Sequence, residues 1–282
     1  MIGRHVKDLL PYIGTLPMRD ICSEALEDFI ADRQEDGVKN ATINRTLEVV
    51  RTTVIRAARV WREGGRTWLP AAPLIEMLDE QAQRRPPYPI TWSEQARLLT
   101  RLPGHLQDTA EFSLNTGARD RNVCGLLWEW ERPVPEIGRS VFVIPPGHFK
   151  SNRAHVLVLN DMAWRIVERR RGKHKKHVFA FVHPTIPGAK PEPFGTQNNS
   201  AWQKARADVG LGQVRVHDLR HTFGQRLRDA GVSQEDRDLL MGHASEGMSQ
   251  HYATATLERL LEAANSASRT VDRTTVLRVV NG

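Results

Sequence analysis

The chain is poor in the residues that would commit it to several common protein classes. It has two cysteines, Cys22 and Cys124, in 282 residues. Two distant thiols match no metal-ligand spacing and build no disulfide framework, so both are expected to be reduced core thiols. No apolar run approaches the ~18 residues of a membrane span. Met1 to Thr15 also lacks an apolar stretch of signal-peptide length. A cytoplasmic protein with no membrane partner is the consequent reading. Tyrosine is scarce too, with only Tyr12, Tyr88 and Tyr252. Acidic residues are outnumbered, 33 against 40 lysines and arginines, which leaves a formal charge of +7. A surplus of that size suits a polyanion, and nucleic acid is the commonest one.

The pattern along the chain predicts a mainly helical protein with a small β-sheet, an α+β class. Leu26, Phe29 and Ile30 mark a first helix over 23–33, ended by Asp36-Gly37. Asn40 or Thr42 caps a second helix that runs to about Arg62. On that helix Ile43, Leu47, Val50, Val54, Ala57, Ala58 and Trp61 fall within roughly a 100° arc. Arg45, Arg51, Arg56, Arg59, Arg62 and Arg66 fall in a separate arc of roughly 140°. The first arc reads as core. The second reads as a DNA-backbone surface, against the plainer alternative of a solvated basic face. Pro86-Pro87-Tyr88-Pro89 reads as a linker, and Thr91-Trp92-Ser93-Glu94 carries the capping signals of a new helix.

These signals divide the chain into a helical domain over 1–85, a mixed domain over 86–265 and a Ser/Thr-rich tail over 266–282. In the mixed domain, helices are predicted over 93–102, 105–115, 119–127, 161–170, 196–208, 217–229, 234–241 and 256–264. Short strands are predicted near Trp128–Glu131, Ser140–Ile144 and His155–Leu159.

His217, Arg220 and His221 stand at i, i+3 and i+4 and so share a helix face. Two histidines four apart invite a zinc reading. That motif needs glutamate directly after the first histidine, however, and Asp218 is there instead, with Arg220 adding a positive charge. Arginine neutralises phosphate oxygens, imidazole moves protons and a phenol can act as nucleophile, so Arg, His and Tyr together suit metal-free phosphodiester chemistry. Further candidates are Arg119 after the glycine of Thr116-Gly117-Ala118, Lys150 in a Gly/Ser/Asn turn between strands, His243 after Gly242, and Tyr252 nine residues on. Taken alone, each has a bland reading, such as a packed tyrosine or a surface arginine. The basic cluster from Arg169 to His177 reads as solvated surface.

Four stretches carry a family resemblance: TGARDRNVCGLLW at 116–128, HFKSNRAHVLVLN at 148–160, HDLRHTFGQRLRDAG at 217–231 and LMGHASEGMSQHYA at 240–253. In order and spacing they resemble the tyrosine recombinases, the phage-integrase family. The resemblance covers roughly 90–265 closely. The helical part before it is similar to the family's core-binding, SAM-like DNA-binding domain, with less specific sequence.

The resemblance implies a site-specific recombinase or integrase in which Tyr252 attacks a DNA phosphate to give a 3′-phosphotyrosyl link. Arg119 and Arg220 would bind the non-bridging oxygens, and Lys150 would protonate the leaving 5′-oxygen. His217 would assist proton transfer, and His243 would hydrogen-bond the phosphate. No metal or other cofactor is implied. The implied partners are double-stranded DNA at attachment-type sites, three further copies in a homotetramer on DNA, and an excisionase or DNA-bending accessory protein. The implied shape is a C-shaped clamp of two domains, with the segment from about 256 onward touching a neighbouring protomer.

Two departures from the family pattern stand out. Asn122 occupies a position where the family often has an acidic residue that buttresses the arginine. The chain also begins close to the core-binding helices, so no separate arm-binding domain is expected and the first core-binding helix is expected to be short or missing. The competing readings are an inactive prophage remnant that only binds DNA, and a type IB topoisomerase-like or telomere-resolving strand transferase.

Overall fold

A computed structural model of the chain describes residues 2–149, 153–183, 185–243 and 254–268. The chain divides into two compact units, Met1–Pro86 and Pro87–Gly282. Helices dominate both, with two small antiparallel sheets, so the α+β class stands.

The first unit opens with helix α1, Ile2–Ile13, where a short or absent helix was expected. Pro11 lies in its last turn and removes one backbone donor. The helix persists because Leu9 is buried, and Tyr12 packs edge-on to Phe29 at 5.4 Å while its hydroxyl donates to Asp32 at 2.7 Å. Helix α2, Glu27–Glu35, follows, then α3, Asn40–Arg59. The predicted core arc of α3 is observed: Ile43, Leu47, Val50, Val54 and Ala57 are buried, with Ala58 and Trp61 packed against them.

Helix α3 ends earlier than the periodicity suggested. The amides of Val60 and Trp61 both return to the Arg56 carbonyl, at 2.7 and 2.9 Å. Arg62 and Arg66 therefore leave the helical arc. They lie in a hairpin of β1, Arg62–Glu63, and β2, Arg66–Thr67. Its two-residue turn is Gly64-Gly65, with φ of 56° and 81°, the positive pair that a tight hairpin turn of this twist requires. The stretch after it is held extended by Asn44, whose amide donates to the Leu78 carbonyl at 2.9 Å and accepts from the Leu78 N–H at 2.8 Å.

The second unit starts with α4, Trp92–Arg101, closed by the expected Thr91/Glu94 capping box. Helices α5, Gly104–Thr116, and α6, Asp120–Cys124, follow. Helix α6 is shorter than the sequence suggested: the Leu126 N–H returns to the Val123 carbonyl at 3.2 Å, a tighter turn that ends the α-helix. Trp128–Trp130, read from sequence as strand, forms a 3-10 turn. The three-stranded sheet comprises β3, Glu131–Val134, β4, Arg139–Ile144, and β5, His155–Leu157, with β4 in the centre. Helix α7, Asp161–Arg170, is capped by the Asn160 side chain. Helix α8, Ser200–Asp208, starts later than predicted because Thr196 and Gln197 instead bind Asp120 of α6. Helices α9, Val216–Asp229, α10, Gln234–Met241, and α11, Thr254–Ser266, complete the unit.

Helix α9 is central, packed against α5, α10 and α11. Leu257, Leu260, Ala264 and Ala267 share a core with Phe223, Leu227, Leu240 and Met241 of the same chain. The part of this segment that is described, 256–268, is packed in cis; the rest of the tail lies outside the described residues. Cys124 is buried, and burial pushes its thiol pKa up; Cys22 is only half-buried rather than a core thiol. Among the described residues, no helix is long and apolar enough to cross a membrane.

Candidate active site

Arg119 is placed by a glycine. Gly117 ends α5 in the left-handed region, φ 63°, and turns the chain so that Arg119 sits just before α6. A Cβ on Gly117 would lie 2.7 Å from both Met241 Sδ and Phe223 Cδ1, so α9 and α10 approach too closely for any side chain there. The Arg119 guanidinium lies over the Phe149 ring, with Cζ 4.8 Å from its centroid. Its buried Nη1 has no hydrogen-bond partner among the described residues, and burial lowers its pKa.

Arg220 sits one turn into α9 and is 4% exposed. It donates to two carbonyls of neighbouring helix ends, Gly117 O and, at 2.6 Å, Met241 O. Burial, then the nearby Arg119 charge, push its pKa down to about 9, so it stays protonated at neutral pH. Among the described residues neither arginine is ion-paired with a carboxylate. Two guanidiniums close enough to repel, partly dehydrated and without a counter-charge, form a site that an anion would relieve.

His217 is solvent-exposed in the first turn of α9 and meets His221 edge to face at 4.7 Å. Its pKa is lowered, first by desolvation and then by His221 and Arg220. That favours the neutral ring, which can accept a proton. Asp218 faces another way: its carboxylate accepts from Arg215 N at 2.8 Å and Tyr88 N at 3.1 Å, capping α9 and holding the segment that leads into α4. Among the described residues no three His, Cys, Asp or Glu side chains gather to hold a metal ion.

His243 follows the C-terminal cap of α10. Gly242, φ 60°, makes the left-handed turn, and the His243 N–H returns to Asp238 O at 2.9 Å. The His243 ring is half exposed, with Nδ1 3.1 Å from Asp238 Oδ1. An ionised carboxylate only accepts, so Nδ1 carries the proton. With the proton on Nδ1, Nε2 can donate to an anion only when the ring is doubly protonated.

Lys150 falls in sequence between β4 and β5, and Tyr252 between α10 and α11; both lie outside the described residues. The described structure brings Arg119, His217 and Arg220 together and places His243 after the helix end that Arg220 binds. It does not use Asn122 as an arginine buttress: Asn122 Nδ2 donates to His148 O at 2.8 Å, tying α6 to the start of the β4–β5 connection. Sequence reasoning missed His155 and Phe149 beside this group. His155 is 5% exposed and stacks on Phe149 at 4.4 Å. Burial, then Arg220 and Arg119, hold its pKa down to about 3. The only sequence signal was an aromatic and an imidazole six residues apart in a hairpin.

The arginines of α3 and the hairpin form a different kind of surface. Arg45, Arg51, Arg56, Arg59 and Arg62 are all exposed, and Arg51 pairs with Glu48 at 3.6 Å. In the Arg169–His177 cluster the arginines are already neutralised, Arg169 and Arg170 by Asp108 and Arg171 by Glu131 and Glu168.

Comparison with known proteins identifies the family. The family model described as "Phage integrase family" matches residues 94–259, more than half of the chain. The integrase of Salmonella phage P22 is 30% identical over 237 residues, which cover 79% of this chain and 56% of that protein; the chain thus spans little more than half the length of that relative. Tyrosine recombinase XerC of Agrobacterium fabrum is 27% identical over 94% of this chain and 84% of its own length. In fold, the chain matches a lambda integrase dimer bound to a COC′ core site with a TM-score of 0.59, at 16% identity over 89% of each chain. It matches the Tn1549 transposon integrase in complex with circular intermediate DNA with a TM-score of 0.58, at 16% identity over 91% of this chain and 90% of that one. The chain belongs to the phage integrase family.

Proposed function

We propose that the protein is a site-specific DNA recombinase that cuts and rejoins strands through a 3′-phosphotyrosyl intermediate. The observation that carries this reading is the pair Arg119 and Arg220, dehydrated, mutually repelling and without a carboxylate partner among the described residues. A phosphodiester in attack supplies the missing negative charge, and its charge grows on the non-bridging oxygens as the transition state forms.

The Tyr252 phenolic oxygen attacks phosphorus. A P–O bond to tyrosine forms as the P–O5′ bond breaks. His217 takes the phenolic proton, Lys150 gives one to the departing 5′-oxygen, and His243 donates from Nε2 to the phosphate. Reversal with a different 5′-hydroxyl rejoins the strand, because the phosphotyrosyl ester keeps the bond energy and no nucleotide is consumed. Arginine suits the oxyanion roles through fixed bidentate geometry, and lysine suits proton donation.

The substrate is double-stranded DNA at attachment-type sites in the cytoplasm, held by a homotetramer, with an excisionase or DNA-bending protein as accessory. The related lambda integrase, seen as a tetramer bound to a Holliday junction, supports that assembly by analogy. Arg45, Arg51, Arg56, Arg59 and Arg62 contact the DNA backbone.

The test is covalent trapping on nicked duplexes that include the ends of the flanking mobile element, with wild type and Tyr252→Phe compared on a denaturing gel. An adduct with wild type alone supports the reading. DNA binding without an adduct points to a remnant, and relaxation of supercoiled plasmid without a specific site points to a topoisomerase.

A further inference from the structure

Phe149 and His155 have no part in the chemistry above, yet they stand between three elements that do. Phe149 carries the Arg119 guanidinium over one ring face, at 4.8 Å. Its ring also stacks with His155, the first residue of β5, at 4.4 Å and 28°. Gly242, the residue before His243, abuts both rings: a Cβ there would collide with Phe149 Cζ and lie 2.9 Å from His155 Nδ1. Phe149 is 6% exposed and His155 5%, so the stack is enclosed. The Asn122 bond to His148 O fixes the start of this connection to α6, the helix that Arg119 precedes.

We infer that the Phe149–His155 stack is a positioning wedge, which sets the plane of the Arg119 guanidinium and spaces the Gly242 cap that presents His243. This inference rests on the recombinase reading. Neither ring touches the reacting atoms. A flat aromatic face constrains a flat cation by attraction to the ring electrons, without using its N–H groups. A carboxylate buttress, the usual partner at the Asn122 position by resemblance, would occupy N–H donors and cancel charge. The ring leaves Arg119 charged and its donors free for phosphate, in keeping with the unpartnered Nη1 among the described residues. His155 backs the ring without adding a third cation beside Arg119 and Arg220, since burial and those charges keep it neutral. An aliphatic residue at 149 would fill volume but offer no plane.

The experiment compares two duplexes recovered from the trapping above. One is an ordinary phosphodiester; the other carries a methylphosphonate at the scissile position, where a methyl group replaces one non-bridging oxygen and the phosphorus centre is uncharged. An uncharged centre has less need of a well-placed guanidinium. In single-turnover adduct formation, Phe149→Leu is expected to lose about 10- to 100-fold on the phosphodiester and less than about 3-fold on the methylphosphonate. His155→Leu should show the same selective loss, and the conservative His155→Phe, which keeps the stack, should recover most of it. Thermal melting identifies variants that do not fold; if Phe149→Leu is one, the His155 pair decides.

Equal losses on both duplexes, or no loss on the phosphodiester, overturn the wedge while the wild-type adduct keeps the recombinase reading intact. Absence of a wild-type adduct on either duplex overturns that reading and the wedge with it.

Discussion

The protein carries arginine in two opposite settings. Along α3 and its following hairpin, Arg45, Arg51, Arg56, Arg59 and Arg62 are exposed and keep their water. In the second unit, Arg220 is 4% exposed and Arg119 half-buried, each beside the other's charge. An exposed arginine costs little to hold and attracts phosphate weakly, through released counter-ions and in proportion to number. A buried one is expensive to hold and is tied by geometry to one ligand position. On the proposed reading, one residue type serves binding in the first setting and transition-state stabilisation in the second. Each variant below separates them.

The largest effect is expected at Arg220. Lysine there cannot bond Gly117 O and Met241 O together and still reach phosphate. Arg220→Lys should therefore slow single-turnover adduct formation by about 100- to 1000-fold, while a gel-shift assay finds DNA affinity nearly unchanged. Similar losses of rate and affinity would remove the distinction.

Stability in acid sharpens the contrast next. His155 has its pKa held down to about 3 in the fold, below the ordinary histidine value that the unfolded chain has. The unfolded state therefore binds the extra proton first. The stabilising contribution is complete above about pH 6.5 and is lost as pH falls toward 3, by roughly 1 kcal/mol per pH unit over that window. His155→Phe should flatten the dependence of Tm on pH between 6.5 and 4, and Arg56→Ala should leave its slope as in wild type. An unchanged slope in His155→Phe would mean that folding does not shift the His155 pKa.

A smaller effect is expected at Asp238, which fixes the Nδ1 proton of His243. Asp238→Ala removes the acceptor that orients the ring, so Nε2 is no longer held toward the phosphate. Adduct formation should fall about 10-fold, within the range for a general acid–base group, with affinity retained. The rate would be indifferent if the 3.1 Å contact had no part in orienting the ring.

The smallest effects belong to the stripe. Replacing Arg45, Arg56 or Arg59 singly by alanine should reduce the slope of log affinity against log salt by about 0.9 each, with no preference between DNA sequences. Arg51→Ala should change it least, because Glu48 already pairs with Arg51. A stripe variant that altered sequence preference would instead point to base contact.

What was legible in the sequence follows the range of the forces involved. The core face of α3 was readable because one helix repeats its environment every 3.6 residues, and α4 and α7 because their caps are local. Arg119, His217, Arg220 and His243 were singled out because spacing on α9 and two glycine turns fix them within short stretches. The hairpin at 62–67 was hidden: the arginine period continued past the end of α3, and Gly64-Gly65 was passed over as a turn. Helix α1 was not read from the sequence, because what holds it is packing of Leu9 and Tyr12 onto residues farther along the chain. The contact of Asn122 with His148 and the Phe149–His155–Gly242 stack join residues from 6 to 93 positions apart, and no local pattern encodes such pairs.

The most direct measurement is single-turnover adduct formation at saturating protein, with Arg119→Ala and Arg56→Ala assayed beside wild type on one trapped duplex. The account predicts that Arg119→Ala stays slow however much protein is added, and that Arg56→Ala reaches the wild-type rate once enough is present. It would be contradicted by an Arg119 variant rescued by concentration, or by an Arg56 variant that remains slow at saturation.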